Sequence, residues 1–180
     1  MLVFIEEVVS ALNQADVRYL VVGGVAVLLH GHLRPIVGLD LVVQLEPQNA
    51  GRAIGALGAL GFKPRVPLAA TAFVDAAARR RWARDKGLTV LSFWSPSRAG
   101  FEVGLAAEEP FEFDAAFNRA HKLPLGATFA QVPSITDLIT LRRAAGKDLE
   151  DIPALEALRD SQGQRDAPPV AKIRDRFSPR

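Results

Sequence analysis

The stretch Arg34–Val43, RPIVGLDLVV, decides how this chain folds. It reads as a buried β-strand, Val37 to Gln44, carrying one acid, Asp40, in a run of Val, Leu and Ile. A carboxylate there is costly unless it is paired or holds a metal. Side chains alternate with period two along a strand, so an acid two residues earlier would share its face. That position is Gly38.

Working outward, RYLVVGG (Arg18 to Gly24) is a short buried strand stopped by two glycines, and VAVLLHGH after it is a helix ending near Gly31. Residues 3–15 space apolar groups at helical intervals, as an amphipathic helix does. Pro47 to Leu60 is helical, with proline near its N-terminus where it is tolerated, and Thr71 to Lys86 is expected to form another helix. Two strands, Leu88–Trp94 and Phe101–Leu105, flank the turn-like SPSRAG. A helix over Phe111–Ala120 and short strands at 121–125 and 128–132 follow. Ser134 is an N-cap with Asp137 at the third helical position of SITDLITLRRAAG, an acidic variant of the capping box. KDLEDIPALEAL is a further helix. Strands and helices interleave early and helices dominate late, which predicts a mixed α/β core with a helical C-terminal part.

The 180 residues suit one domain, placed at residues 1–160, with the core over about 18–132 and C-terminal helices over about 134–160. With 49% hydrophobic and 23% charged residues the chain is globular. The absence of cysteine excludes disulfides and thiolate metal sites. The start, MLVFIEEVV, lacks the basic region of a signal peptide, and no apolar run is long enough for a membrane span. A soluble cytoplasmic protein is expected, without a membrane partner. The net charge of +2 is uneven. Residues 161–180 form a polar tail with five basic residues (Arg165, Lys172, Arg174, Arg176, Arg180) and two acids, so the tail carries +3 and the rest −1. A global basic field for nucleic acid is absent, and any such partner must be met locally.

The order of parts resembles the nucleotidyltransferase fold, in particular its small bacterial branch related to abortive-infection (AbiEii-like) and minimal nucleotidyltransferase toxins. That branch reads approximately VGG-x-A-x-x-x-HG-x-x-R-x-T-x-D-x-D, then a strand with V-D-L, then S-x-x-DLI-x-x-K and AGR-x-KD-x-x-DI. The matching stretches are VGGVAVLLHGHLRPIVGLD, FEVGL, SITDLITLRRAAG and KDLEDIPAL, over roughly residues 18–158. The resemblance implies an α/β mixed sheet flanked by helices. It also implies Mg²⁺ as cofactor, held by paired acids about 6.6 Å apart on one strand face and a third acid on the neighbouring strand. Such a site activates an incoming hydroxyl against a nucleoside triphosphate. Gly23 and Gly24, Arg34, Arg142 and Lys147 match the nucleotide-binding positions, and Asp40 the surviving metal and catalytic acid. Gly38 stands at the first acid position and Gly104 at the third; Arg142 stands where the branch has lysine, and AGKD is two residues shorter than AGR-x-KD.

Two functions of different class follow. One is a degenerate nucleotidyltransferase, a pseudoenzyme with residual NTP binding or an interaction role. The other is an active, toxin-like enzyme moving NMP from NTP to RNA, protein or a small molecule, with an antitoxin-like protein partner. Asp40 has the alternatives of a solvated strand end or a pair with Arg34. Glu102 shares the face of Gly104 and is either a partial stand-in or a solvated edge residue. Gly23–Gly24 is otherwise a plain strand-to-helix turn. His30 and His32 are two apart and do not make a metal pair on a helix. Arg79, Arg80, Arg81, Arg84 and Lys86 form either a phosphate or RNA patch or a solvated helix face. Lys147, Asp148 and Asp151 contact nucleotide or tie two helices together. Trp82, Trp94 and the phenylalanines are expected in the core. If Gly38 and Gly104 are emptied ligand positions, aspartates at both should rebuild three converging oxygen donors.

Overall fold

Alternation along the strand of Asp40 sets the architecture of the computed structural model, which describes residues 1–161. The basic tail expected from 161 onward lies, apart from Ser161, outside the described residues. A five-stranded sheet runs in the order β1 (Tyr19–Val22), β2 (Gly38–Val43), β5 (Glu102–Ala106), β4 (Val90–Trp94), β3 (Lys63–Pro64). Only β2 and β5 pair in parallel; the other neighbours are antiparallel. A separate hairpin joins β6 (His121–Leu125) to β7 (Thr128–Val132).

On one face of the sheet Leu39, Leu41 and Val43 of β2 join Leu91, Phe93, Val103 and Leu105 in the main core. That core is closed by α1 (Leu2–Gln14), α2 (Gly23–Leu29) and α3 (Pro47–Ala59). The expected amphipathic pattern of α1 is realised, with Ile5, Val8, Val9 and Leu12 all buried. Alternation sends Leu20, Val22, Val42 and Ala106 to the opposite face. There they pack on Phe111, Phe113 and Ala116 at α5 (Phe113–Asn118), with Leu141 of α6 (Ile135–Ala145) at the edge. This second cluster covers only part of the face. The remainder, towards β4, is open.

The mixed α/β core and helical C-terminal part are as the sequence predicts, and several boundaries differ for local reasons. The strand stops at Val22 ahead of the two glycines as expected, but the helix begins on the glycines themselves: they are the first two residues of α2, and Gly23 takes φ +65° to turn the chain. The helix expected over Thr71–Lys86 is broken at Asp75, whose extended backbone separates a 3₁₀ turn (Ala70–Val74) from α4 (Ala76–Lys86). The Asp75 carboxylate accepts the Ala77 N–H at 2.8 Å, so it caps α4. The last helix likewise divides into a 3₁₀ turn (Leu149–Asp151) and α7 (Ile152–Ser161). The turn follows Asp148, whose backbone is left-handed at φ +49°. The short strand β3 went unseen because two residues carry no period.

Ser134 caps α6 as expected: its hydroxyl accepts the Asp137 N–H at 3.1 Å and donates to the Asp137 carboxylate at 2.9 Å. Arg119 completes the knot with an ion pair to Asp137 at 2.7 Å. This fixes the start of α6, and therefore the place where Arg142, two turns on, meets the sheet. Among the described residues no helix is long and apolar enough to cross a membrane.

Candidate functional site

The open part of the sheet face is a cleft, and Asp40 stands at its centre. Register places Asp40 between Val22 on β1 and Gly104 on β5, with Ser92 of β4 beyond. The next row on the same face is Gly38, Glu102 and Trp94. Two lobes meet at Asp40, Gly104 and Asp148. The larger, about 530 Å³, runs under the α2–β2 loop past Arg34, Ile36, Ser92 and Glu102. The smaller, about 260 Å³, is lined by Val22, Val90, Pro110, Leu138 and Leu141 between sheet and α6, with Arg142 and Lys147 at its border.

Glycines make room for the acid. A Cβ at Gly23 would collide with the Asp40 carboxylate, and one at Gly104 would lie 2.9 Å from Asp40 Oδ1 and 3.1 Å from Val90 Cγ1. A Cβ at Gly38 would lie 2.7 Å from the Glu102 carbonyl oxygen, a backbone atom that cannot swing away. Gly38 and Gly104 do lie on neighbouring strands beside Asp40 at one cleft, as the emptied-ligand expectation requires, but an aspartate at either position would have to displace an atom already there. At Gly38 the atom in the way is backbone, and at Gly104 it is the Asp40 carboxylate, the end of a side chain.

The charged wall opposite comes from the C-terminal part. Arg142, buried, donates through Nη2 to the Gly23 carbonyl at 3.2 Å and pairs with Asp151 Oδ2 at 3.0 Å. Its Nη1 meets the Asp148 carboxylate at 3.1 Å and the Asp148 carbonyl at 3.2 Å. Arg34 pairs with the same Asp151 oxygen and reaches the other Asp148 oxygen at 3.4 Å. Two arginines thus share two aspartates. Asp151 is 6% exposed at its side chain and Asp148 42%. Lys147 is exposed, and no ion pair to it forms among the described residues.

Asp40 is exposed to the cleft, and the protein packed beside its carboxylate affects its titration. Desolvation by that protein pushes its carboxyl above the usual range, the Asp148 charge adds to the rise, and Arg34, Lys147 and Arg142 oppose it. The direct pair between Asp40 and Arg34 that the sequence left open does not form: Arg34 turns to Asp148 and Asp151.

The structure brings Gly23, Gly24, Arg34, Gly38, Asp40, Gly104, Arg142 and Lys147 to this cleft or its rim. Glu102 lies on the same face, tied to Arg65 at 2.7 Å, and is a half-solvated ion pair, not a partner of Asp40. His30 packs away, its Nε2 at 2.9 Å from the Pro133 carbonyl and its ring edge-on to His121. The arginine cluster divides: Arg79 is buried and donates to the Phe73 and Val74 carbonyls, whereas Arg80, Arg81, Arg84 and Lys86 are exposed. Trp82 is core, but Trp94 is 38% exposed at the open face. Sequence reading missed the bridging of Arg34 and Arg142 by shared aspartates. The spacing Lys147-Asp148-x-x-Asp151 carried that signal only in outline.

Mg²⁺ does not fit this donor set. Asp40 has Gly38 and Gly104 beside it, the other acids lining the cleft, Glu102 and Asp148, are paired with arginines, and the charges of Arg34, Lys147 and Arg142 act on the position. Among the described residues no three His, Asp or Glu side chains gather as a metal-holding group. A hard cation needs six or more oxygens, most of which water would have to supply here.

No family model matches the chain, and no curated protein does. By fold it is similar to the solution structure of the antibiotic-resistance factor ANT(2'')-Ia, with a TM-score of 0.53 and 13% identity over 91% of each chain. A crystal structure of ANT(2'')-Ia in complex with adenylyl-2''-tobramycin matches with a TM-score of 0.49 and 14% identity, over 92% of this chain and 98% of that one. At these identities the likeness concerns the fold: the chain has a nucleotidyltransferase fold, a mixed sheet with helices around it and a helical C-terminal part.

Two outcomes follow from the geometry. The native state favours protonated Asp40, so this residue's contribution to stability is fullest below the ordinary carboxyl value of 3.8 and falls as pH rises through it to the raised native value. Asp40→Asn is therefore expected to melt higher than wild type at pH 7, with the gain shrinking as pH falls into that window; a gain independent of pH, or a loss, contradicts the assignment. The protein carrying Gly38→Asp and Gly104→Asp is expected to melt lower than wild type and to show no larger Mn²⁺ response, because Gly38 has no room for a side chain. A Mn²⁺-dependent recovery confined to the double variant would restore the emptied-ligand view.

Proposed function

We propose that this chain is a degenerate nucleotidyltransferase that binds a nucleotide in the Asp40 cleft without the metal-dependent transfer chemistry of the fold. The observation that carries the reading is the gathering of Arg34, Arg142 and Lys147 around one remaining carboxylate, where a transferase of this kind needs several. Guanidinium groups with fixed planar donors suit phosphate oxygens, and Lys147 adds an unengaged point charge. The smaller lobe, walled by Val22, Val90, Leu138 and Leu141, offers apolar surface of the kind a planar base takes, and the larger lobe remains open to solvent.

A second reading has one observation on its side. Asp40 presents its carboxylate to both lobes of the cleft, within reach of a bound acceptor, and its carboxyl is raised by the protein beside it. This supports a divergent, toxin-like transferase that passes NMP to RNA, a protein or a small molecule. The AbiEii-like branch and an antitoxin-like protein partner belong with it, on the motif order from Gly23 to Asp151. Labelled NTP with Mn²⁺ and candidate acceptors separates the two: transfer lost in Asp40→Asn establishes the enzyme.

For the binding reading, Lys147→Ala is the cleanest variant, since no ion pair holds Lys147 in the fold. Loss of a charge-assisted contact worth about 1.5 kcal/mol weakens binding about tenfold. Fluorescence titration with ATP is expected to show that weakening with an unchanged melting temperature. Equal affinity in wild type and variant removes Lys147 from the site.

A further inference from the structure

Asp148 occupies an unusual place in the cleft. It sits where the two lobes meet, and its carboxylate lies between the two arginines, one oxygen 3.4 Å from Arg34 Nη2 and the other 3.1 Å from Arg142 Nη1. An anion bridging two guanidinium groups at the rim of a cleft is what a bound phosphate would be. We propose that Asp148 is an internal stand-in for a phosphate group, displaced from Arg34 and Arg142 when a nucleotide enters. The inference rests on the nucleotide-binding reading and names the residue that regulates it.

Three features fit displacement better than a fixed structural pair. The two aspartates of the clasp are unequal: Asp151 is almost wholly buried and holds one nitrogen of each arginine, whereas Asp148 is exposed and holds the nitrogens on the cleft side. With Asp148 gone, Asp151 and the Gly23 carbonyl still fix both guanidinium groups, so a second anion would find them in place. Next, Asp148 stands in left-handed backbone at φ +49°, a conformation that glycine prefers, directly after Gly146 and Lys147 and ahead of a single 3₁₀ turn. Its backbone carbonyl is held by Arg142 Nη1 and by the Asp151 N–H, each at 3.2 Å, so the part that moves is the exposed carboxylate. Finally, its departure changes the local charge. With Asp148 in place Arg34, Arg142 and Lys147 are matched by Asp40, Asp148 and Asp151; with the Asp148 carboxylate displaced, the group is left with one net positive charge.

The experiment is a titration of wild type, Asp148→Asn and Asp148→Ala with ATP and with inorganic tripolyphosphate, by fluorescence and calorimetry at two salt concentrations. Asparagine keeps the shape and tolerates left-handed backbone, so its effect is one of charge. Removing a competing anion within contact distance of the arginines is expected to tighten both ligands about tenfold, with a steeper loss in high salt. If wild type shows no binding and Asp148→Asn binds, displacement is supported in its strongest form. If wild type binds and Asp148→Asn binds equally or more weakly, Asp148 is a structural or ligand-contacting residue and the inference fails while nucleotide binding stands. If none of the three proteins binds either ligand, the nucleotide reading and this inference both fall.

Discussion

Arg142 leaves α6 with its side chain only 6% exposed, and three separate segments are arranged to receive its guanidinium. The Gly23 carbonyl opens α2, Asp151 lies in the 3₁₀ turn before α7, and Asp148 closes the turn after α6. Without those acceptors a buried arginine would be an uncompensated charge, and breaking such a pair costs roughly 3–5 kcal/mol. The geometry of the cleft therefore depends on this one side chain. It sets the distance between the C-terminal helices and the sheet, it anchors Asp151 so that Asp151 can hold Arg34, and Arg34 in turn fixes the loop that walls the larger lobe.

The sheet side is governed by a different constraint, lack of room. Asp40 lies over Gly23 and beside Gly104, and neither could carry a Cβ without moving it. Gly38 abuts the backbone of β5. The three glycines leave the space immediately around the Asp40 carboxylate free of other side chains. Asp40 itself stays open to the cleft, with its carboxyl raised by the protein packed beside it and by the Asp148 charge.

Much of this was legible in the sequence because it depends on order and period. The alternation of Gly38, Asp40 and Val42 against Leu39, Leu41 and Val43 gave the two faces of β2, and Ser134 with Asp137 gave the start of α6 within a residue. Other features depend on distances that no local pattern encodes. Arg79 resembled its neighbours in a basic run until Asp75 broke the helix and turned it onto the Phe73 and Val74 carbonyls. Gly38 read as a vacancy because sequence cannot display the Glu102 carbonyl beside it. The arginine–aspartate clasp joins residues 34, 142, 148 and 151, and over a hundred residues separate its halves.

The central claim is that cations of the chain, and not a metal ion, hold the phosphates of a nucleotide in the Asp40 cleft. Calorimetric titration of the wild-type protein with ATP, once in EDTA and once with excess Mg²⁺, tests it most directly. Binding in EDTA is expected with an affinity equal to or tighter than that in Mg²⁺, since free ATP presents more negative charge to Arg34, Arg142 and Lys147. Binding that appears only when Mg²⁺ is added would contradict it.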